Sequence, residues 1–236
     1  MFFVRLMALA ALGACLLPAQ LMRVMVVDVK ADRVLEFQDL QKKATAAYQK
    51  AGTAFRAVYA PAGLGEQNIW YGFTPMTGYA EFDAPIVEKV MGADYKDFTA
   101  QARNLVNSVR YEVVERRPNL TIDEGERPGG LYSVAELQIH PGQESAFEAK
   151  YQAAIPALKK LGVKTFLVSR VRYGNQIGLY RFGIALERFG DLDKGQLLVR
   201  ALGEEGYAKW RSAIAEHIQS VRYSVVRLHP ELSYRK

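Results

Sequence analysis

Seven residues near the middle of the chain, Ser108-Val109-Arg110-Tyr111-Glu112-Val113-Val114, return near its end as Ser220-Val221-Arg222-Tyr223-Ser224-Val225-Val226. From Asn107 to Leu120 and from Gln219 to Leu232, eight of fourteen residues agree at an offset of 112, Pro118 with Pro230 among them. Farther back, Tyr95 and Phe98 match Tyr207 and Trp210, Gly92 matches Gly203, Tyr71 and Phe73 match Tyr180 and Phe182, and Phe37 matches Phe147. Two copies of a unit of roughly 100 residues are implied, too long for a solenoid repeat and the size of a small domain.

Each copy reads in the same order. Val24 to Val29 and Tyr132 to Ile139 alternate: Met25, Val27 and Val29 share a face with Ala135, Leu137 and Ile139, while Val26 and Asp28 match Glu136 and Gln138 on the other. Phe147, Tyr151, Ala154, Leu158 and Leu161 then follow at helical spacing, with Gly162 ending that helix as Gly52 ends its twin. Two strand-like segments joined by glycine-containing turns come next, then a second helix (Tyr95, Phe98, Ala102, Leu105; Tyr207, Trp210, Ile214, His217), then the repeated strand. Strand, helix, strand, strand, helix, strand is the ferredoxin-like order, whose uncovered sheet face needs a cover. The expected fold is therefore α+β: two ferredoxin-like βαββαβ repeats packed sheet to sheet as an intramolecular α+β barrel. Residues 22–117 and 131–236 are the repeats, and the turn-rich residues 118–130 are the linker.

Residues 1–19 read as an export leader: Arg5, then an apolar run from Leu6 to Leu17, then Pro18-Ala19. Cleavage after Ala19, lipidation of Cys15 in Leu12-Gly13-Ala14-Cys15, and retention as an anchor stay open; export is expected, with no membrane span after cleavage. Cys15 is the only cysteine, so the remainder offers no disulfide, no thiol nucleophile and no thiolate metal ligand. The net charge of +6 is spread without a dense basic run, which argues against a nucleic-acid partner. Phosphate-loop, nucleophile-elbow, zinc-helix and dinucleotide signatures are missing, and three histidines make a poor basis for a metal site.

The element order, the Pro141-Gly142-Gln143-Glu144 turn leading into the helix of Phe147, and the tandem copies resemble the dimeric α+β barrel superfamily. That group includes small monooxygenases of the antibiotic-biosynthesis type, stress-responsive barrel proteins, and haem-binding chlorite-dismutase and dye-peroxidase relatives. The resemblance spans about residues 22–234 and is architectural. Its haem-binding members place an axial histidine on a helix of the C-terminal copy, which would correspond in position to His217; haem is thus the alternative to a chain with no cofactor.

The other candidate site is the space between the sheets. If Val109, Tyr111 and Val113 face helices, Arg110, Glu112 and Val114 face inward, with Arg222, Ser224 and Val226 opposite and Asp28, Glu136 and Gln138 on the same face. Arg110, Arg222, Glu136, Tyr71 and Tyr180 form the expected ligand site, with Tyr59, Trp70 and Tyr173 as further aromatic walls. The expected function is binding of a small aromatic or carboxylated molecule, with catalysis left open. Alternatives are a cofactor-independent monooxygenase or isomerase, a haem enzyme, and a structural or interaction module. A paired network of the same charges is the structural reading of the arginines. Whether barrels associate as a homo-oligomer is left open.

Overall fold

The computed structural model describes residues 21–124, 130–174 and 176–236; the leader, Cys15 and residues 125–129 lie outside them. Alternation fixes the strands. In β1 (Leu21–Val29) and β6 (Leu131–Ile139) the odd-numbered residues turn toward helices and the even-numbered ones toward the opposite face. The helix α1 (Val34–Lys50) buries Phe37, Leu40, Gln41, Ala44, Thr45, Ala47 and Tyr48 as one stripe, and Gly52 (φ 82) turns the chain out of it. Its counterpart is broken into α4 (Glu144–Gln152) and α5 (Ile155–Lys160), because Pro156 has no N–H for the Gln152 carbonyl.

The remaining elements are β2 (Phe55–Pro61), β3 (Ile69–Pro75), α2 (Ile86–Met91), α3 (Tyr95–Leu105), β4 (Val106–Arg116), β5 (Ile122–Asp123), β7 (Thr165–Tyr173), β8 (Leu179–Leu186), α6 (Leu197–Ala215), β9 (Ile218–Leu228) and β10 (Tyr234–Arg235). Among the described residues the long strands pair antiparallel as β2-β3-β1-β4-β7-β8-β6-β9, and β9 pairs back to β2. One closed eight-stranded barrel results. This corrects the expected pair of ferredoxin-like sheets stacked face to face. Val113–Arg116 of β4 bonds to Ser169–Tyr173 of β7, and Tyr59–Pro61 of β2 bonds to Val226–Leu228 of β9, so the edges join instead. Closure satisfies backbone groups that two open sheets would leave on four edges.

Two short arms cross the seams reciprocally. After β4, the turn Pro118–Leu120 and β5 lie along β7, sinking Leu120 and Ile122 into the second half's core with Phe147 and Phe166. After β9, the turn Pro230–Leu232 and β10 lie along β2, sinking Leu232 into the first half's core with Phe37 and Trp70. Thr121 Oγ1 accepts from Val168 N–H at 3.1 Å, and Ser233 Oγ accepts from Val58 N–H at 2.9 Å. A third apolar cluster, Val24, Val26, Val114, Val171 and Leu179 with Ile69, Tyr71 and Phe73 against it, fills part of the barrel lumen. Among the described residues no helix is long and apolar enough to cross a membrane.

Candidate functional site at the barrel mouth

Inward-facing positions on four strands carry a chain of alternating charges. Glu136 on β6 is the cross-strand partner of Arg181 on β8 and of Arg222 on β9. Arg181 Nε donates to Glu136 Oε1 at 2.7 Å, and its Nη1 reaches across the lumen to Glu112 Oε2 on β4 at 2.6 Å. Arg110 Nε holds the other Glu112 oxygen at 3.1 Å, and Arg222 Nη2 lies 3.3 Å from Glu136 Oε2. The order is Arg110, Glu112, Arg181, Glu136, Arg222.

Three guanidiniums against two carboxylates leave one positive charge in this network. Burial alone would push the Glu112 carboxyl up, but Arg181 and Arg110 outweigh it and hold Glu112 below the ordinary range. Burial likewise acts to lower Arg181, and Glu112 and Glu136 more than reverse it. The hub is buried while the ends are not: the Arg181 side chain is 6% exposed, Arg110 34% and Arg222 51%. Arg181 Nη2 is buried without a hydrogen-bond partner among the described residues, and its guanidinium lies 5.6 Å from the Tyr71 ring centroid.

At the Arg222 end a cleft of about 270 Å³ opens between β3, β6, β9 and the β2–β3 turn, lined by Glu66, Ile69, Tyr71, Glu136, Arg222 and Ser224 with their neighbours. Tyr71 is pushed up to about 12, first by burial and then by Glu136, so at neutral pH it keeps its proton as a donor. No hydrogen bond to its hydroxyl forms among the described residues. Arg222 also donates to Gln176 Oε1 at 3.3 Å, toward solvent. The cleft thus offers a cation at its rim and a neutral phenol on its wall, with carboxylates behind.

Of the expected site residues, Arg222, Glu136 and Tyr71 meet in this cleft; Arg110 stands in the network away from it. Tyr180 does not join them. It points to the helix side, 0% exposed, against Phe147, and donates its hydroxyl to Glu148, which Arg117 also holds. The cause is register: Val27 pairs with Trp70 and Leu137 with Tyr180, so Trp70 takes the place of Tyr180, and Tyr71 that of Arg181. Trp70 faces helices beside Phe37, Tyr173 is largely exposed, and Tyr59 meets Phe73 and Tyr132. Asp28 stays at the rim, accepting from Asn107 Nδ2 at 3.2 Å. Sequence reading missed Arg181; its place directly opposite Glu136 under the period-two pleat was the available signal.

His217 follows α6 and is buried, its Nδ1 2.9 Å from Gln143 Oε1 and its Nε2 3.7 Å from Glu216. Behind it, the layer between helices and sheet is filled by Phe147, Tyr151, Tyr180 and Phe182, with Tyr151 stacked on Phe182 at 4.5 Å. Nε2 has no accessible face through which an iron could be reached, so the residues around His217 do not fit a haem. Among the described residues no group of three histidines, aspartates or glutamates is arranged to hold a metal ion.

No known protein family and no curated protein matches the sequence. Solved structures do match in shape. A proposed monooxygenase from Fusobacterium nucleatum superposes with a TM-score of 0.60 at 11% identity, covering 92% of this chain and 98% of that one. A proposed monooxygenase from Lactobacillus acidophilus gives 0.57 at 8% identity, covering 92% and 96%. A chlorite dismutase from Candidatus Nitrospira defluvii gives 0.53 at 12% identity, covering 90% and 92%. At such identities what this chain shares with these neighbours is the fold.

Proposed function

We propose that this chain is an exported α+β barrel protein that binds a small aromatic or carboxylated molecule in the barrel-mouth cleft, with Arg222 receiving its anionic group. The observation that carries this reading is the unbalanced network, one positive charge in excess, whose only half-exposed member lines the cleft beside the unbonded Tyr71 hydroxyl. A volume of about 270 Å³ lies just under the usual range for ligand pockets, which limits the occupant to about one ring with its substituents. Calorimetry with a panel of monocyclic aromatic carboxylates tests it. Arg222→Ala should weaken binding by about 1.5–3 kcal/mol, the range for a charged hydrogen bond. Binding unchanged in Arg222→Ala, or no binding by any member, overturns the assignment.

A second reading, oxygenation of the bound molecule without a cofactor, is favoured by the fold shared with two proposed monooxygenases and an anthrone oxidase-like protein. In such a step an activated ring CH2 gives up two protons and, in all, four electrons to dioxygen, one oxygen atom becoming the ring carbonyl and the other leaving as water. Tyr71 would donate to the ring oxygen. Oxygen uptake with electron-rich phenols, abolished in Tyr71→Phe, is the result this reading requires. Mass spectrometry of the mature N-terminus distinguishes cleavage after Ala19 from lipidation at Cys15.

A further inference from the structure

The two halves differ most in the layer between helices and sheet. In the second half Tyr151, Phe166 and Phe182 pack there as mutually touching rings, with Leu158 beside them. The strand and helix positions that correspond in the first half hold Gln41, Arg56, Gly72 and Tyr48. An aromatic core has become a polar one containing a cation.

Arg56 is 3% exposed. Its Nη2 donates to Gln41 Oε1 at 2.6 Å, its guanidinium lies 4.8 Å from the Tyr48 ring centroid, and its Nε has no partner. Among the described residues no carboxylate pairs with it. Gly72 makes the room: a Cβ there would meet Met25 Cε at 3.3 Å and Arg56 Nη2 at 3.6 Å. Two strands away on the same face stands Arg23, cross-strand partner of Thr74, 7% exposed and also with an unpartnered Nε. Its nearest carboxylate oxygen, on Glu81, is 3.9 Å away, and Phe82 covers it at 4.6 Å. Buried cations cost several kcal/mol unless paired, so two in one layer with so little compensation require a counter-charge.

The layer is thinly covered on its α3 side. That helix buries no residue, and Tyr111 on the β4 face below is 53% exposed. Tyr111 is the cross-strand partner of Met25, whose other neighbour is Gly72, so it stands on the same face of the sheet as both cations.

We infer that the first half holds a second anion site, separate from the barrel-mouth cleft, in which Arg23 and Arg56 together bind the carboxylate of a small aromatic acid lying against Tyr48 and Tyr111. Guanidiniums match a carboxylate in geometry and charge, and tyrosine faces suit a planar body. Without the acid, the buried charge of Arg56 destabilises the fold; with it, the charge is paired.

Trp70 reports on this layer, since it stands on the same face of β3 as Gly72 and packs on Phe37. In a Trp210→Phe background it is the only tryptophan. Titration with 4-nitrobenzoate, a quenching carboxylate, should quench Trp70 saturably. Arg56→Met should weaken that binding at least tenfold while raising the thermal midpoint of the unliganded chain; Arg23→Met should weaken it several-fold; Arg222→Ala should leave it unchanged. No saturable quenching, or a dissociation constant unaltered in Arg56→Met or Arg23→Met, overturns the inference. So does quenching lost in Arg222→Ala, which would place the probe in the barrel-mouth cleft alone. A midpoint lowered by Arg56→Met with quenching intact would make Arg56 a structural cation and equally overturn it.

Discussion

Gly174 lies directly on Glu112 across the β4–β7 seam: a Cβ at residue 174 would stand 2.9 Å from Glu112 Cγ and 3.1 Å from the Tyr111 carbonyl oxygen. Gly65 stands against Ser224 in the same way over β9, where an added Cβ would lie 2.7 Å from Ser224 Cβ. Each turn therefore closes over the strand that bears an arginine of the network. Gly174→Ala must tolerate φ +123 and also move a buried carboxylate. Gly92→Ala meets no atom within 4 Å and faces only φ +57. Urea unfolding should show a loss of about 1–3 kcal/mol for Gly92→Ala, from its strained backbone (φ 57, ψ −122) alone. Gly174→Ala should lose a further 1–3 kcal/mol or so from overpacking. Equal losses would mean that Glu112 shifts at no cost.

Among the described residues Arg181 is the sole bridge between Glu112 and Glu136. Arg181→Met should lower stability by up to about 3–5 kcal/mol, because the buried Glu112 and Glu136 then keep only their more exposed partners, Arg110 and Arg222. Adding Glu112→Gln and Glu136→Gln to that variant should recover much of the loss. If the triple variant is no more stable than Arg181→Met, packing rather than stranded charge is responsible.

The same network sets an acid limit. The folded pKa of Glu112 lies below the ordinary value of about 4.5, so its contribution is complete above about pH 4.5 and is lost as pH falls through the folded value. Midpoints measured from pH 6 down to pH 3 should drop more steeply for the wild-type chain than for Glu112→Gln. Parallel profiles would refute the assignment.

The seam arms were legible as sequence and not as architecture. Pro118 with Pro230 and Leu120 with Leu232 stand out as repeated letters, yet barrel closure is made by backbone bonds between β4 and β7 and between β2 and β9, which leave no side-chain pattern to read. Inward-facing Glu136 and Arg222 followed from alternation alone. Tyr71 reaches the cleft as expected, while its pairing with Tyr180 failed for a related reason. Matching tyrosine to tyrosine sets the copies one residue out of the register that β1 and β6 impose, and a one-residue slip moves a side chain to the opposite face. Arg181 was hidden by the same slip, since it sits inside an otherwise apolar strand.

Leu120 and Leu232 are 1% and 0% exposed, each in the core of the half that it does not follow in sequence. Leu120→Ala and Leu232→Ala should each cost about 2–5 kcal/mol, the range for emptying a buried leucine site. Leu35, 73% exposed, is the control, and Leu35→Ala should stay within about 0.5 kcal/mol of the wild-type chain. Small losses at both arm positions would show that the seams are held by the strand pairs alone.

The two tyrosines that the repeat aligns should respond in opposite ways. Tyr180 is enclosed by the second half's aromatic core and gives its hydroxyl to Glu148, so Tyr180→Phe should lower stability by about 1–2 kcal/mol through the lost bond to a charged acceptor. Ligand binding at the barrel mouth should not change, because the ring lies on the far side of the sheet. Tyr71 has no hydrogen bond among the described residues and lines the cleft, so Tyr71→Phe should leave stability nearly unaltered while weakening binding of an aromatic carboxylate. Unfolding curves and calorimetry on the same two proteins decide it. A binding loss in Tyr180→Phe together with none in Tyr71→Phe would mean that the ligand enters between helices and sheet of the second half, where the packed rings of Phe147, Tyr151 and Phe182 would first have to part.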